Sequence, residues 1–290
     1  MKTKLFVLII AMSLLSKILG ATKLDAPVIE RPKNHLAFVL LEKAELPSEE
    51  AILDAFAKYS QGTHTLSLSK NEDETSTEEK EERVLAMNIE GIGFAFIGLM
   101  PTPVPNGEAE AAFPFSISSF SGDNELSDHS AHLMVTLMLS EDSDPLESLM
   151  AYTSLLAAVT ESSQSIGVYW GNAGATHTRD FFLSVASEHS INPRILLWNG
   201  ISRAGEKGGK MSFLSYGMQQ LALPNLYLVC NANEAGSYFS RFFDLISYIA
   251  ERGESLPAGD TIGSTEEERI KVEYVKSPAD DGQIVWKVVF

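Results

Sequence analysis

The residues best suited to chemistry stand at the end of a short apolar run in the second half of the chain. Tyr169 and Trp170 close that run, and Asn172, His177 and Arg179 follow. Ligand clefts in α/β layers form at the C-terminal ends of strands. The intervening glycines leave backbone N–H groups free to face an anion, and a guanidinium pairs well with a carboxylate. The cluster predicts a ligand- or partner-binding surface; alternatively, a threonine before Arg179 caps the next helix.

A second group of polar residues, His129 and His132, has the spacing of an H-x-x-H pair. Two histidines at i and i+3 share a metal when they lie on a helix. Here His132 begins a predicted strand and His129 lies in a loop, and the nearby acids have an irregular spacing. His35 occupies the equivalent strand start with no second histidine beside it. The pattern favours polar strand entries, so we predict no metal site.

Catalytic and cofactor motifs are incomplete throughout the chain. There is no G-x-S-x-G elbow. The segment 205–210 is similar to a phosphate loop, but Met211 stands where Ser or Thr is required, so a hairpin tip is expected. Gly91 and Gly93 lack the third glycine of a dinucleotide fingerprint. The sequence therefore favours a protein that is not an enzyme and predicts no cofactor.

The first 21 residues have the order of a secretory leader. Lys2 and Lys4 precede an apolar run at 5–15, and the small residues Gly20 and Ala21 follow. The run is shorter than the roughly 20 residues that span a bilayer. We expect a signal peptide at 1–21, cleaved after Gly20 or Ala21, and export to the periplasm or medium. An uncleaved N-terminal anchor and a cytosolic chain are the alternatives.

Charge and cysteine content restrict the partners. The 290-residue chain carries a net charge of −17, and removal of the leader's three lysines leaves 19 basic and 39 acidic residues, a net charge of −20. Such a surface repels nucleic-acid phosphates and anionic lipid, so neither nucleic acid nor, after leader cleavage, a membrane is expected as a partner. Cys230 is the single cysteine, so no intrachain disulfide forms.

The elements that must position these residues fall into four segments. Residues 1–21 are the leader, and 22–33 form an extended linker with two prolines. Residues 34–128 form an N-terminal β-α-β-β unit with an acidic loop at 71–82, which holds seven acids and one lysine. Residues 129–290 form a C-terminal α/β domain. Whether the two parts fuse into one domain stays open.

The two halves repeat one order of elements. The apolar run 34–41 aligns with 131–138, and a proline opens a helix after each, Pro47 in the first and Pro145 in the second. The run 92–98 then aligns with 166–171. We predict an α+β fold in which tandem β-α-β-β units form mixed sheets covered by helices; chance similarity of common β-α-β order is the alternative to duplication.

The last hundred residues continue as α/β. Arg194 and the apolar residues 195–198 precede Asn-Gly, which predicts a strand at 194–198 running into a tight turn. Residues 234–252 carry a wide apolar stripe at helical spacing and end at Gly253, as a capped helix does. Residues 269–275 and 283–290 alternate between large apolar and polar side chains, so we expect two half-exposed strands.

Several short motifs in this half resemble a known family. They are Gly167–Trp170, Ser215–Met218 with Leu223–Leu226, Gly259–Gly263 and Tyr274–Pro278. Together they resemble the bacterial domain-of-unknown-function family 4261, over roughly 130–290 and more weakly over 35–115. The resemblance implies a fold and no activity, and an exported leader departs from what is expected of the family.

Two functions follow as hypotheses. The first is an exported, non-catalytic module that binds a protein or peptide, because a well-packed chain shows no catalytic constellation. The second is a hydrolase or small-ligand binder whose site lies around Tyr169–Arg179. The oligomeric state is not indicated by the sequence.

Overall fold

The computed structural model describes residues 24–69, 84–121, 125–263, 265 and 267–290. The predicted leader and the acidic loop at 71–82 lie outside the described residues. Within those ranges, no helix combines the length and the apolar character that crossing a bilayer requires.

The described chain alternates strands and helices in an α+β arrangement, as predicted. The helices are α1 (Glu49–Ser60), α2 (Glu108–Ala112), α3 (Pro145–Glu161), α4 (Arg179–Ala186), α5 (Ile191–Trp198) and α6 (Ala235–Arg252). The strands are β1 (Asn34–Leu41), β2 (Leu66–Leu68), β3 (Val84–Ile89), β4 (Gly93–Met100), β5 (Ala131–Leu139), β6 (Ser165–Trp170), β7 (Ala175–Thr178), β8 (Gly200–Glu206), β9 (Lys210–Tyr216), β10 (Leu226–Asn231), β11 (Thr261–Ile262), β12 (Ile270–Lys271), β13 (Glu273–Lys276) and β14 (Ile284–Val289).

The two predicted β-α-β units interleave in one seven-stranded sheet of order β2-β3-β4-β5-β1-β6-β7. Every neighbouring pair is antiparallel. The first strands of the two units, β1 and β5, lie side by side at the centre, with β4 beyond β5 and β6 beyond β1. Each unit therefore encloses a strand of the other, which is the split β-α-β order of a ferredoxin-like core. The β2–β3 hairpin and β7 extend this core at its two edges.

One face of the seven-stranded sheet is covered by α1 and α3. Ser48 accepts a hydrogen bond from Ala51 N at the start of α1, and Asp144 accepts from Leu146 N and Glu147 N at the start of α3. These caps satisfy N–H groups that the first helical turn leaves without partners. Helix α3 is buried along almost its whole length, and Tyr152 Oη donates to the Val135 carbonyl of β5, 2.7 Å away.

A five-stranded mixed sheet of order β13-β14-β10-β9-β8 forms the C-terminal part of the fold. Strands β10 and β14 are parallel, and the other neighbours are antiparallel. The apolar stripe of α6 packs on this sheet, and Gly253 ends the helix with φ 72°. A separate ribbon, β11–β12, lies between α6 and β13 along the chain. The predicted helix and hairpin tip of this region are confirmed.

The predicted strand at 194–198 is wrong, because these residues form the second half of helix α5. A short apolar run does not by itself distinguish a buried strand from a buried helix. Here Arg194 decides the packing. Its side chain is almost fully buried and donates to the carbonyls of Tyr59 at 3.1 Å and Ala186 at 2.8 Å. Those carbonyls belong to the last turns of α1 and α4, so Arg194 ties three helices together.

Candidate functional site

The predicted cluster at 169–179 is divided between the two faces of the sheet. Trp170 is fully buried against Tyr152, and its indole N–H donates to Gln220 Oε1 at 2.9 Å. Tyr169 points the other way, since successive strand residues face opposite sides. Its ring stacks on Phe38 with centroids 5.5 Å apart. The two aromatic residues therefore do not contribute to one surface.

His177 lies in the interior and has a partner for each ring nitrogen. Ser116 Oγ lies 2.7 Å from Nδ1, and the Leu197 carbonyl lies 3.1 Å from Nε2. Because a carbonyl only accepts, Nε2 carries the hydrogen and Nδ1 accepts from the serine. Burial lowers the pKa of His177 to about 4, although the bond to Leu197 opposes that shift. A neutral, enclosed imidazole of this kind orients β7; it has no contact with solvent.

Asn172 and Arg179 have different contacts from His177 and from each other. Asn172 Oδ1 accepts a hydrogen bond of 2.6 Å from Leu36 N at the start of β1. Its carbonyl accepts another of 2.8 Å from Gln219. Arg179 begins α4, is partly exposed, and lies 3.5 Å from Asp180. Asn172 thus links structural elements, and Arg179 is partly exposed to solvent.

The H-x-x-H pair holds a loop against the sheet. His129 Nε2 accepts from Val104 N at 2.8 Å, and His132 Nδ1 lies 2.8 Å from the Thr102 carbonyl. His129 Nδ1 lies 3.0 Å from Glu110. Among the described residues, no group of three or more His, Cys, Asp or Glu side chains is arranged to hold a metal ion.

The loop that these histidines hold covers part of the sheet face opposite α1 and α3, which we call the open face. Val104 and Ala109 pack on Leu40 and exclude it from solvent. Phe38 and Tyr169 lie at the border of this covered part. Beyond them, towards β3 and β4, no described segment crosses the open face.

The uncovered part of the open face carries large apolar side chains. Phe94 and Phe96 of β4 are 53% and 39% exposed, and Met138 of β5, which lies opposite Phe94 in the strand register, is 55% exposed. We call the exposed set the apolar patch; it consists of Val84, Phe94, Phe96, Met100 and Met138. Exposed apolar side chains grouped on one face of a sheet are a sign of an interaction site.

The sequence of β4 carries a signal for the apolar patch. Residues 92–98 are apolar at almost every position, without the alternation of a strand that has one wet face. Such a run is typical of a strand buried on both faces. In β4 one of those faces is covered by the helices and the other is exposed, so the excess of apolar residues marks the uncovered surface.

Comparison with known proteins bears on the C-terminal part alone. Residues 214–289 match the family model of a domain of unknown function, DUF4261. The match begins within β9 and ends with β14, so it contains α6, the last three residues of β9 and the whole of β10, β13 and β14. It confirms the resemblance for this region, over a shorter span than the motifs indicated. No curated protein and no solved structure gives a significant match.

Proposed function

We propose that this protein is an exported, non-catalytic binding module that holds an extended apolar segment of a basic partner protein on the apolar patch. The observation that carries the proposal is the exposure of Phe94, Phe96 and Met138 together on one regular surface. A flat sheet face offers aromatic and thioether groups without a cleft, which suits a protein segment better than a small molecule.

Charge defines the chemistry of that partner. The acidic segment 71–82 joins β2 to β3, and Val84 of the apolar patch follows it closely in the chain. The chain as a whole is strongly acidic. A partner segment with an apolar centre and Lys or Arg at its ends is complementary to both features, and opposite charges accelerate the encounter.

The alternative function, a hydrolase or small-ligand site around 169–179, has less support. It requires His177 and Arg179 to act on one bound molecule, whereas His177 is buried with both ring nitrogens engaged and Arg179 is partly exposed. Trp170 has an equally internal role. Export of the chain rests on the leader sequence and belongs to the proposal.

The test uses the purified full chain and a phage-displayed library of random 12-residue peptides. Selected peptides should combine aromatic or aliphatic residues with flanking Lys or Arg. In calorimetry, the double variant Phe94→Ser/Met138→Ser should bind the tightest selected peptide at least about 100-fold more weakly than the native chain does, a loss of about 2.7 kcal/mol in binding free energy. Affinity should also fall as salt is raised.

Val289→Ser is the matched control, because Val289 is a 49% exposed apolar residue of β14 in the other sheet. It should leave the affinity unchanged. Equal binding by the double variant and the native chain would overturn the proposal. So would self-association of the chain through the patch, which sedimentation of the native chain and the double variant would reveal as a dimer lost on substitution.

A further inference from the structure

A concave surface lies between α6 and the β11–β12 ribbon, inside the region that matches the family model. It has a volume of about 680 Å³, within the range of small-molecule sites. Helix α6 forms one wall, and Thr261, Ile262, Gly263 and Ile270 form the other. The apolar patch belongs to the other sheet, so this cleft is independent of the function proposed above.

The helical wall of the cleft is a polar stripe. Ser237, Arg241, Asp244 and Tyr248 are separated by four, three and four residues, which places them along one side of α6. The apolar stripe that contains Phe242 and Ile249 packs on the five-stranded sheet instead. Polar groups of a helix usually face open solvent, but here they face the ribbon across a concave space.

The charges in the cleft disfavour an anionic ligand. Arg241 is paired with Glu268 and also lies over the ring of Phe290, with 5.1 Å between the guanidinium carbon and the ring centroid. Its charge is therefore already neutralised. Asp244 forms no ion pair or hydrogen bond with any other residue that the structure describes. An anion entering the cleft would meet this carboxylate without a compensating cation.

The hydroxyl groups in the cleft have unused hydrogen-bonding capacity. Within the described ranges, the side chains of Ser237, Ser240 and Thr261 make no hydrogen bond. A hydroxyl both donates and accepts, and a carboxylate accepts from two directions. Together with Asp244, these groups match a ligand that presents several hydroxyls of its own.

Tyr248 adds an aromatic surface at the end of the stripe. Its side chain is 44% exposed and lines the cleft, and Arg252 hydrogen-bonds to it. An exposed aromatic ring packs against the C–H face of a pyranose, while hydroxyl and carboxylate groups bind its edges. We infer that this cleft binds a neutral saccharide, with Tyr248 as the stacking residue and Asp244 as the principal hydroxyl acceptor.

Saturation-transfer NMR on the purified full chain tests the inference with glucose, galactose, mannose and N-acetylglucosamine as probes, and glucuronic acid as the charged comparison. At least one neutral sugar should bind with a Kd on the order of 1 mM. Glucuronic acid should bind at least about tenfold more weakly, because its carboxylate meets Asp244.

Variants locate the binding. Tyr248→Ala and Asp244→Asn should each lower the affinity for the sugar at least about tenfold. Neither substitution should change the melting temperature, because both side chains lie at the cleft surface. Glu251→Gln, an exposed substitution on α6 outside the cleft, should leave the affinity unchanged. No binding by any of the four neutral sugars, or binding that survives both substitutions, would overturn the inference.

Discussion

The two faces of the seven-stranded sheet are built by the same alternating strands but are covered to different degrees. On the face under α1 and α3, Ala95, Ile97 and Val135 are completely buried. On the open face, Phe94 and Phe96 belong to β4, as Ala95 and Ile97 do, but they are 53% and 39% exposed. Since both sets are apolar, burial here depends on which segments lie over the sheet, and the strand sequence alone does not determine it.

The loop at 101–121 shows what covering the open face requires. Prolines separate it from β4, and its backbone is held by His132 of β5 and by His129, which lies just before that strand. Where this support ends, no segment within the described ranges covers the apolar surface. The two parts of the open face therefore differ in whether the 101–121 loop covers them, and the uncovered part is available to bind another molecule.

The largest loss of stability is expected on the face under α1 and α3, which we call the covered face. Trp170→Ala removes a fully buried indole and leaves Gln220 Oε1 without its donor. The free energy of unfolding should fall by about 4 kcal/mol, since truncation of a buried aromatic residue costs about 3–5 kcal/mol. Urea unfolding followed by circular dichroism measures it. A loss below about 1 kcal/mol would show that the indole is not enclosed.

Arg194→Met should be the next most damaging substitution. The methionine preserves much of the apolar stem but removes the donor of the Ala186 carbonyl at the end of α4, and it leaves the Tyr59 carbonyl at the end of α1 with Ser154 Oγ as its remaining donor. A buried acceptor without a partner costs about 1–3 kcal/mol, and a hydrogen bond from a charged donor contributes about 1.5–3 kcal/mol, so we expect a loss of about 3 kcal/mol.

Arg203→Met provides the control for Arg194→Met. Arg203 is an exposed residue of β8, and its guanidinium lies over the Phe120 ring. Its replacement should cost less than about 1 kcal/mol. Equal losses for the two variants, measured by urea unfolding, would contradict the role given to the buried guanidinium.

Much of the fold followed from the sequence, and the exceptions have physical causes. The strands at 34–41 and 131–138 and the helices that follow Pro47 and begin at Pro145 formed as predicted, because apolar period and helix-start signals are local. The interleaving of the two units was not predictable, since strand order depends on contacts between distant residues. The helix at 191–198 was missed because its polar anchor, Arg194, binds carbonyls from other helices.

The candidate site was less predictable than the fold. Proximity in sequence suggested that Tyr169, Trp170 and His177 act together, but strand alternation places Tyr169 and Trp170 on opposite faces. His177 then lies on the covered side, packed against Phe181 and Phe182. The apolar patch had a signal in the composition of β4, although its exposure depends on where the 101–121 loop ends.

Acid should lower the free energy of unfolding mainly through buried histidines on the covered face. Burial lowers the pKa of His35 to about 3 and that of His177 to about 4, against about 6.5 in the unfolded chain. The unfolded state therefore binds more protons below pH 6.5, and stability falls as the pH drops from 6.5 towards these values. Between pH 7 and pH 5 each histidine should contribute a loss of about 2 kcal/mol.

His35→Leu separates the two contributions. Both ring nitrogens of His35 lack hydrogen-bond partners among the described residues, so leucine should be tolerated at pH 7. Urea unfolding at pH 7 and pH 5 should then show about 2 kcal/mol less acid destabilisation than in the native chain. His189→Gln, at an exposed position, should change the acid response much less. An unchanged response in His35→Leu would show that His35 does not contribute to the acid sensitivity.

The smallest expected effect is on the apolar patch, where Phe94→Ser/Met138→Ser should change the free energy of unfolding by less than about 0.5 kcal/mol per site. Side chains that are more than half exposed lose little burial when they are shortened. The same urea experiment measures the change. A loss approaching that of Trp170→Ala would mean that the patch is covered in solution and belongs to the core. A small loss of stability combined with strongly weakened peptide binding would show that one face of the sheet stabilises the fold and that the other face binds the partner.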